Sequence, residues 1–442
     1  MSSNRLILWF DKAMAFSFYA TIYFLPISIA LLETFTGFAI FFYLLKRFVM
    51  FYELRKTNPA LWKSLNFLGR TKTFLKAFQP NPSAINKPIV VLLLFSLFSV
   101  LISQHRLVSF KGFIGKALEN AFLYFSFIEC INSKNRLKTF LTVFFLSATV
   151  VSTSGVYQYF VGHDFIFGHL NYDGRISSSF RSPNDFAAYL VFLIPILLSI
   201  IVFRFGEKRN EEEGICGLEM FFSNKGRIAL SFLLILTLFC LVGTYSRGGL
   251  MAIVLALVLF GCRNRKIFLS TVLLVVVFFV VAGFLLNNSR GDLAAPGRLF
   301  NDNGRMYYWQ EATNIIKHNL IFGTGLNTYS LVGREYKITW GGYPHNCYLQ
   351  MAAETGVIGL IVFLWMITAL FKDALRTLSK MTDFSLRFIL LGALIGLAAF
   401  LIHCFWDTIF YSVILNCLMW IYFGLIVAVT KIQKPHPASL HG

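Results

Sequence analysis

Apolar stretches long enough to cross a lipid bilayer recur from residue 13 to residue 430 of this 442-residue chain. The hydrocarbon core of a bilayer is about 30 Å thick, and a helix of about 20 apolar residues spans it with every backbone group hydrogen-bonded internally. Hydrophobic residues make up 57% of the chain and charged residues 14%, against about a quarter charged residues in soluble domains. The sequence therefore predicts an all-α integral membrane protein.

About twelve transmembrane helices are predicted, with both termini in the cytoplasm. This placement puts 28 of the 40 lysines and arginines in inner segments and leaves 12 elsewhere, which is the bias that the positive-inside rule requires. The first apolar run follows Arg5 and Lys12 as a signal peptide would, but no small-residue cleavage site follows it, so it is predicted to remain as the first span. The predicted spans cover residues 13–32, 34–51, 88–103, 112–131, 139–160, 185–203, 228–246, 248–262, 267–286, 346–371, 388–405 and 408–430.

Two of the predicted outer segments are long, whereas most other outer connections have only a few residues. The first covers residues 161–184, and the second covers residues 287–345 and is predicted to contain short helices. The chain then divides into nine spans with short loops over 1–286, a large outer loop over 287–345, three spans over 346–430 and an inner tail over 431–442.

The net charge of +19 raises the question of a nucleic-acid partner. The basic residues lie in short clusters beside apolar runs and no nucleic-acid motif is present, so membrane lipids are the predicted partner and nucleic acid is not. Residues 52–87 interleave lysines and arginines with large apolar residues, which predicts an amphipathic helix that anchors on the inner membrane surface. The seven cysteines show no paired spacing and are predicted to be small core residues.

The motif GRISSSFRSPNDFAAYL, residues 174–190, ends the first long outer segment and begins a span. Its SPND tetrapeptide predicts a helix start, with Ser182 as the N-cap and the proline at the first helical position. Arg175 and Arg181 then lie beside a helix N-terminus, where the dipole and the guanidinium groups together attract phosphate. The alternative for these two arginines is snorkelling to lipid headgroups.

Two further arginines lie in outer segments. TYSRGGL, residues 244–250, places Arg247 in a tight hairpin whose two glycines allow a sharp turn. Arg305 lies in the first turn of an amphipathic helix predicted over 301–319, where a cation opposes the helix dipole and so invites a functional explanation. The GTGLNTY segment that follows contains Asn327, which would either hydrogen-bond a sugar or form a structural turn.

The motif PHNCYLQMAAETGVIGL, residues 344–360, puts His345 at the entrance to a span. The helix dipole and the nearby arginines disfavour a protonated imidazole, so His345 is predicted to be a general base; the alternative is a hydrogen bond to a loop carbonyl. Asp407 lies in the hairpin before the last span and would either orient His345 or pair with an arginine, which is the simpler alternative. The outer segments contain no DxD, HExxH or Cys/His cluster, so no metal and no cofactor is predicted.

These segments resemble the O-antigen ligase family, part of a superfamily with O-antigen polymerases and bacterial protein O-oligosaccharyltransferases. With the span pattern, the resemblance covers nearly the whole chain. The compact first outer segment favours the ligase branch, because many polymerases of the superfamily have two comparably large loops. The matching elements are four motifs in the same order on the same predicted face: GRISSSFRSPNDFAAYL, TYSRGGL, the segment from GRMYYW to GTGLNTY, and PHNCYLQMAAETGVIGL.

The resemblance implies an enzyme of lipopolysaccharide biosynthesis at the periplasmic face of the bacterial inner membrane. Such an enzyme joins a glycan carried on undecaprenyl diphosphate to the outer-core sugar of lipid A-core, without a metal and with inversion at the anomeric carbon. Arg247, Arg305 and His345 match the family's essential residues, and Arg175 and Arg181 match its motif less closely. O-antigen polymerisation and glycan transfer to protein remain alternatives, as does, in a different class, transport of an anionic substrate.

Overall fold

The protein is all-helical in the described part of the chain, apart from an isolated bridge between His163 and Leu170. A computed structural model describes residues 3–57, 59–171, 174–202, 217–261, 276, 303–332 and 342–433. The helices are α1 Ser3–Phe24, α2 Ile29–Thr57, α3 Pro59–Ser64, α4 Phe67–Ala77, α5 Asn86–Ile102, α6 Arg106–Gly112, α7 Glu119–Cys130, α8 Lys134–Val161, α9 Pro183–Val202, α10 Glu219–Phe222, α11 Asn224–Gly243, α12 Arg247–Gly261, α13 Asn303–His318, α14 Tyr329–Val332, α15 Cys347–Lys380, α16 Phe384–His403 and α17 Val413–Gln433.

The prediction of an all-α membrane protein is confirmed. Seven of the described helices are long and apolar enough to cross a membrane, judged by length and composition. The total of about twelve spans and the position of the long loop outside the membrane stay predictions. The ninth predicted span, residues 267–286, lies outside the described residues apart from residue 276, as do the predicted boundary between 286 and 287 and most of the predicted tail.

The predicted boundaries of the first two spans, 13–32 and 34–51, are wrong. Helix α1 ends at Phe24 and α2 begins at Ile29, with a turn between them in which the Phe24 carbonyl accepts hydrogen bonds from two following N–H groups. Pro26 lies in this turn, and its ring has no N–H to continue a helix. The hydrophobic run is continuous across the turn, so composition alone does not locate it.

Two other spans depart from regular α-helix. The predicted span 112–131 begins at Arg106 and contains a π-helical segment, Phe113–Leu118, between α6 and α7. The long helix α15 has a break at Gly356, whose φ of +75° only glycine adopts without strain. A Cβ at Gly356 would lie 2.0 Å from the Ile321 carbonyl oxygen, so this break lets the segment after α13 pack against the helix backbone.

The core is built around α9, α16 and α17, which are the most completely buried of the long helices. Gly392 and Gly396 let α16 approach α9 so closely that a Cβ at either position would lie within 2.7 Å of the α9 backbone. Phe192 of α9 stacks on Phe400 with ring centroids 4.0 Å apart, and its carbonyl accepts a hydrogen bond from the Tyr422 hydroxyl at 2.7 Å. These contacts hold the three helices as one rigid unit.

An ion-pair network joins the helices at one end, called here the Asp11 end. Lys46 Nζ lies 2.7 Å from Asp11 and 2.9 Å from Glu129, while Arg136 pairs with Asp11 and Arg47 pairs with Glu129. The network links α1, α2, α7 and α8. Each half-buried charge in it would destabilise the fold if it had no partner. The opposite end carries His345 and is called the His345 end. Helix α16 links the two ends: it follows Asp383, which pairs with Lys134 at the start of α8, and runs 20 residues, about 30 Å, to His403.

The basic segment 52–87 forms several short helices instead of the single amphipathic helix predicted. Helix α2 continues to Thr57, and α3 and α4 follow, with Asn66 capping α4 through its side-chain oxygen. Phe67, Leu68 and Leu75 remain exposed. An apolar face left exposed beside basic residues is typical of a segment that lies on a membrane surface, so the anchoring prediction stands.

Cysteine labelling tests the predicted sides of the membrane. Cysteines at Thr313 and Lys317 on α13 should react with a membrane-impermeant reagent in intact spheroplasts, because the positive-inside rule places the His345 end in the periplasm. A cysteine at Lys72 on α4 should react only after permeabilisation. The variants are made in a background without native cysteines, and labelling of all three positions from the same side would contradict the predicted topology.

Candidate active site

Each of the four sequence motifs contains one non-glycine residue with a positive φ angle. Among the described residues these are Ser178, Tyr245, Asn327 and His345, with φ between +44° and +64°. Such a conformation costs a residue that carries a side chain about 1–3 kcal/mol, and residues of this kind cluster at functional sites because the surrounding structure must hold them. Backbone strain therefore coincides with the segments that the sequence analysis singled out.

His345 and Asp407 are in direct contact although 62 residues separate them. The imidazole Nδ1 lies 3.2 Å from the Asp407 Oδ1. Burial alone would raise the pKa of Asp407, but the hydrogen bond from His345 and the charges of His403 and His345 outweigh burial, so this pKa lies below its ordinary value. An ionised carboxylate holds a proton on Nδ1 and leaves Nε2 to accept another. The structure shows a contact between Asp407 and His345, and the role of Asp407 in orienting the base stays a prediction.

Asn346 and Cys347 fix the backbone around this pair. The Asn346 side chain caps α15 by accepting hydrogen bonds from two backbone N–H groups at 2.9 and 3.0 Å. The Cys347 thiol donates to the backbone carbonyl of Asp407 at 3.1 Å. His345 therefore lies one residue before the helix cap, and its side chain is 42% exposed, so a substrate hydroxyl can reach the ring.

Arg305 and the start of α12, where Arg247 lies, are near a buried histidine, His403, that the sequence analysis did not identify. Arg247 begins α12, and the next residue, Gly248, packs on His403 so closely that a Cβ there would lie 2.7 Å from the imidazole Cδ2. His403 ends α16, and the charges of Asp407 and Arg305 both act on it. The two arginines are thus placed near the His345–Asp407 pair. In the described part of the chain, no group of three or more His, Cys, Asp or Glu side chains is placed to hold a metal ion.

Arg175 joins the first two motifs. Its Nε donates a hydrogen bond to the Thr244 carbonyl at 2.7 Å, and its Nη2 donates to the Asn184 Oδ1 at 2.7 Å. The first bond holds the hairpin that precedes Arg247, and the second holds the start of α9. The structure therefore gives Arg175 a positioning contact, and its predicted binding of the diphosphate stays a prediction.

Arg181 lies beside the N-terminus of α9 and is exposed. The helix begins at Pro183, and the Ser182 hydroxyl accepts a hydrogen bond from the Asp185 N–H at 3.1 Å. This confirms the helix start that the SPND sequence predicts. An exposed guanidinium at a helix N-terminus is accessible to an anion, and the diphosphate contact of Arg181 stays a prediction.

The helix predicted over 301–319 is present as α13, Asn303–His318, with Arg305 in its first turn. Ala312 and Ile315 are buried in a small core with Tyr329 and Ala353. This core fastens α13 to α15, the helix that follows His345. Packing against α15 thereby places Arg305 at the His345 end.

Asn327 lies at a turn that is held by two residues the sequence analysis missed. Its backbone N–H donates to the buried Glu354 Oε2 at 2.9 Å, and its side-chain Oδ1 accepts from Lys116 Nζ at 2.7 Å. Glu354 Oε1 also accepts from Gln350 at 3.2 Å. These contacts hold Asn327 in a turn, and its predicted hydrogen bond to a sugar stays a prediction. Glu354 lies inside the fourth motif, whereas Lys116 is a lone cation within an apolar run.

Comparisons with known proteins cover most of this site. Residues 232–364 match the family model described as O-Antigen ligase. Over 337 residues the chain is 25% identical to the O-antigen ligase of Salmonella typhimurium strain LT2, a match that spans 69% of this chain and 74% of that protein. A match of 120 residues is 32% identical to the exopolysaccharide production protein ExoQ of Rhizobium meliloti strain 1021 and spans 24% of this chain and 28% of that protein.

Fold and site together define a multi-pass, all-α membrane protein with a His–Asp pair and arginines at one end of its helices. The family model and the Salmonella typhimurium relative support the resemblance to the O-antigen ligase family that the motifs predict. The matched region includes Arg247, Arg305 and His345 and ends before Asp407. That family implies a glycosyltransferase-like activity.

Proposed function

We propose that this protein is an O-antigen ligase that transfers a glycan from undecaprenyl diphosphate to the outer-core sugar of lipid A-core at the periplasmic face of the inner membrane. The contact between His345 and Asp407, at the helix end where Arg247 and Arg305 also lie, is the observation that carries this proposal. The match to the O-antigen ligase family model supports the reaction class, and the distribution of lysine and arginine supports the side of the membrane.

In the proposed reaction, His345 removes the proton from the acceptor hydroxyl. The hydroxyl oxygen attacks the anomeric carbon from the face opposite the diphosphate, so a new glycosidic bond forms with inversion. The bond between the anomeric carbon and the phosphate oxygen breaks, and its electron pair leaves with undecaprenyl diphosphate. The proton remains on the imidazole until water or the departing diphosphate takes it.

Arg247 and Arg305 act on the leaving group. Negative charge grows on the phosphate oxygen as the anomeric bond breaks, and guanidinium groups donate paired hydrogen bonds to such oxygens. Donors fixed before the reaction stabilise this charge without reorganising, which is the largest effect available to a site that uses no metal. Arg175 contributes by holding the hairpin before Arg247.

Asp407 acts through His345. Its carboxylate stays ionised because its pKa is held below the ordinary value, and it therefore fixes the ring tautomer and stabilises the imidazolium that forms after proton transfer. In this role Asp407 orients the base and does not itself exchange a proton with the substrate.

A second candidate is lengthening of the lipid-linked glycan. The match to the Rhizobium meliloti exopolysaccharide production protein favours it, since producing a polysaccharide requires joining of glycan units. The same site chemistry serves both reactions, because only the hydroxyl that attacks differs.

Reconstitution with separate acceptors decides between the two. The purified protein is placed in liposomes with an undecaprenyl-diphosphate glycan and either lipid A-core or more donor alone, and the products are separated by electrophoresis and mass spectrometry. We expect transfer to lipid A-core, with equal yield in EDTA because the arginines stabilise the leaving group. Longer lipid-linked glycans without transfer to lipid A-core would favour the second candidate, and loss of activity in EDTA that a divalent ion restores would contradict the metal-independent mechanism.

A further inference from the structure

A cavity of about 210 Å³ lies at the His345 end, beside the π-helical segment Phe113–Leu118. We call it the Lys116 cavity, and a second cavity of about 80 Å³ shares Lys116 and Asn416 with it. The mechanism above uses none of the side chains that line it. The lining residues that matter here are Lys116, Glu119, Asn120, Asn327, Tyr411 and Asn416.

Lys116 is a largely buried cation with spare hydrogen-bond donors. Its Nζ donates to the Asn327 Oδ1 at 2.7 Å and lies 4.2 Å from the centre of the Tyr411 ring. Within the described residues, no carboxylate lies within ion-pair distance of it. An ammonium group has three N–H donors, so two remain for a molecule in the cavity. π-Helical segments of this kind are frequently found at functional sites.

Hydrogen-bond acceptors line the same cavity. The side-chain N–H groups of Asn120 and Asn416 donate to backbone carbonyls of the π-helical segment at 3.1 to 3.3 Å. The side-chain carbonyl oxygens of these two asparagines therefore remain able to accept hydrogen bonds. Glu119 and Glu33 also line the cavity, and the charge of Glu33 acts on Glu119. Lys111 and Lys116 line the cavity as well, so its two cations and two carboxylates balance and leave no net positive charge to attract a phosphate. Donors and acceptors that alternate around one space instead suit a neutral ligand with many hydroxyl groups.

Tyr411 supplies an apolar surface in the same space. It is 45% exposed, and the C–H face of a sugar ring packs favourably on an aromatic ring flanked by polar groups. We propose that the Lys116 cavity binds a neutral sugar ring of one of the two glycan substrates. This inference rests on the proposed function, since it takes the ligand to be a part of the donor or of the acceptor glycan.

The cavity adjoins the site of the reaction. Tyr411 lies four residues after Asp407, and its ring centroid is 4.6 Å from that of Tyr343, two residues before His345. The two short segments 343–347 and 407–411 thus carry the His345–Asp407 pair and also one wall of the Lys116 cavity. A glycan of several sugars can therefore place one ring in the cavity and another at His345.

The test combines two cavity variants with steady-state kinetics on the full-length protein in liposomes. Lys116→Met and Glu119→Gln each remove a charged hydrogen-bond partner, and Glu119 makes no hydrogen bond or ion pair with other described residues, so its replacement should leave the fold intact. Loss of a hydrogen bond to a charged group weakens binding by about 10- to 100-fold. We expect KM to rise by about 10- to 100-fold for one substrate, while kcat stays within about twofold of wild type. The substrate whose KM rises, donor or acceptor, identifies the source of the sugar. Lys317→Met, on the exposed side of α13, is the matched control.

Binding is measured separately so that it does not depend on transfer. Saturation-transfer NMR on the purified protein uses two probes, the lipid-free core oligosaccharide and the lipid-free donor glycan. Wild type and Lys317→Met should give signals with one probe, and both cavity variants should bind it at least tenfold more weakly. Equal binding in all four proteins, or no binding of either probe to wild type, would overturn the cavity proposal. Binding that depends on the cavity in a protein that transfers no glycan would instead contradict only the proposed function.

Discussion

Replacing His345 with alanine should lower glycan transfer by about 100- to 10,000-fold, the usual contribution of a general base. The acceptor hydroxyl is a weak nucleophile until its proton is removed, and His345 is the exposed partner of an ionised carboxylate at the helix end that also carries the arginines. The measurement is the rate of transfer from donor to lipid A-core in liposomes. Donor binding should persist, because the arginines and the lipid tail supply it, so the loss should fall on kcat.

The pH profile provides an independent check on this role. A general base loses activity when it is protonated, so wild-type activity should fall on the acid side. Because the pKa of Asp407 lies below its ordinary value, the Asp407 carboxylate stays ionised until the pH falls below that ordinary value. Asp407→Asn removes this negative charge beside His345, so the maximal rate of transfer should drop. A folded His345→Ala protein that binds donor and transfers glycan within a few-fold of wild type would remove the histidine from the mechanism.

Sequence reasoning located the functional segments because their signals are local. The start of α9 follows from Ser182 and the proline after it, which satisfy backbone donors within one turn. The apolar face of α13 follows from the helical spacing of Ala312 and Ile315. These features depend only on neighbours a few residues away, so the chain shows them without a structure.

The parts that sequence reasoning missed depend on contacts between distant segments. Lys116 meets Asn327, 211 residues later, and a single lysine in an apolar run gives no sign of that partner. His403 matters because Gly248 packs against it from another helix. The turn at Pro26 is a different case, since the proline was visible in the sequence but lies within an unbroken hydrophobic run.

Asp407 shows how the structure reveals a contact that the sequence does not specify. An isolated aspartate in an outer hairpin is equally able to pair with an arginine or to orient a histidine, and pairing was the simpler reading. The Cys347 thiol donates a hydrogen bond to the Asp407 backbone carbonyl, which holds the hairpin beside the start of α15. That contact sets the carboxylate against the imidazole, which no local pattern specifies.

Replacing Arg247 or Arg305 with lysine should reduce transfer by about 100-fold at either position, although the charge is retained. Lysine presents a single rotating ammonium group, whereas arginine presents a planar pair of donors that matches two phosphate oxygens. Loss of one fixed donor to a developing anion typically costs this much. The measurement is kcat/KM with the undecaprenyl-diphosphate glycan as the varied substrate.

Arg376→Lys is the matched control for these two variants, because Arg376 is exposed on α15, near the end of that helix that is far from His345. It should retain wild-type activity, which separates loss of a phosphate contact from a general effect of the substitution. Thermal unfolding of each variant shows whether the fold is kept. In the proposed mechanism both arginines act on the same leaving group, so the double variant should lose less than the product of the two single losses. Full activity in both lysine variants would mean that these arginines only flank the membrane, and the leaving group would then need a different source of stabilisation.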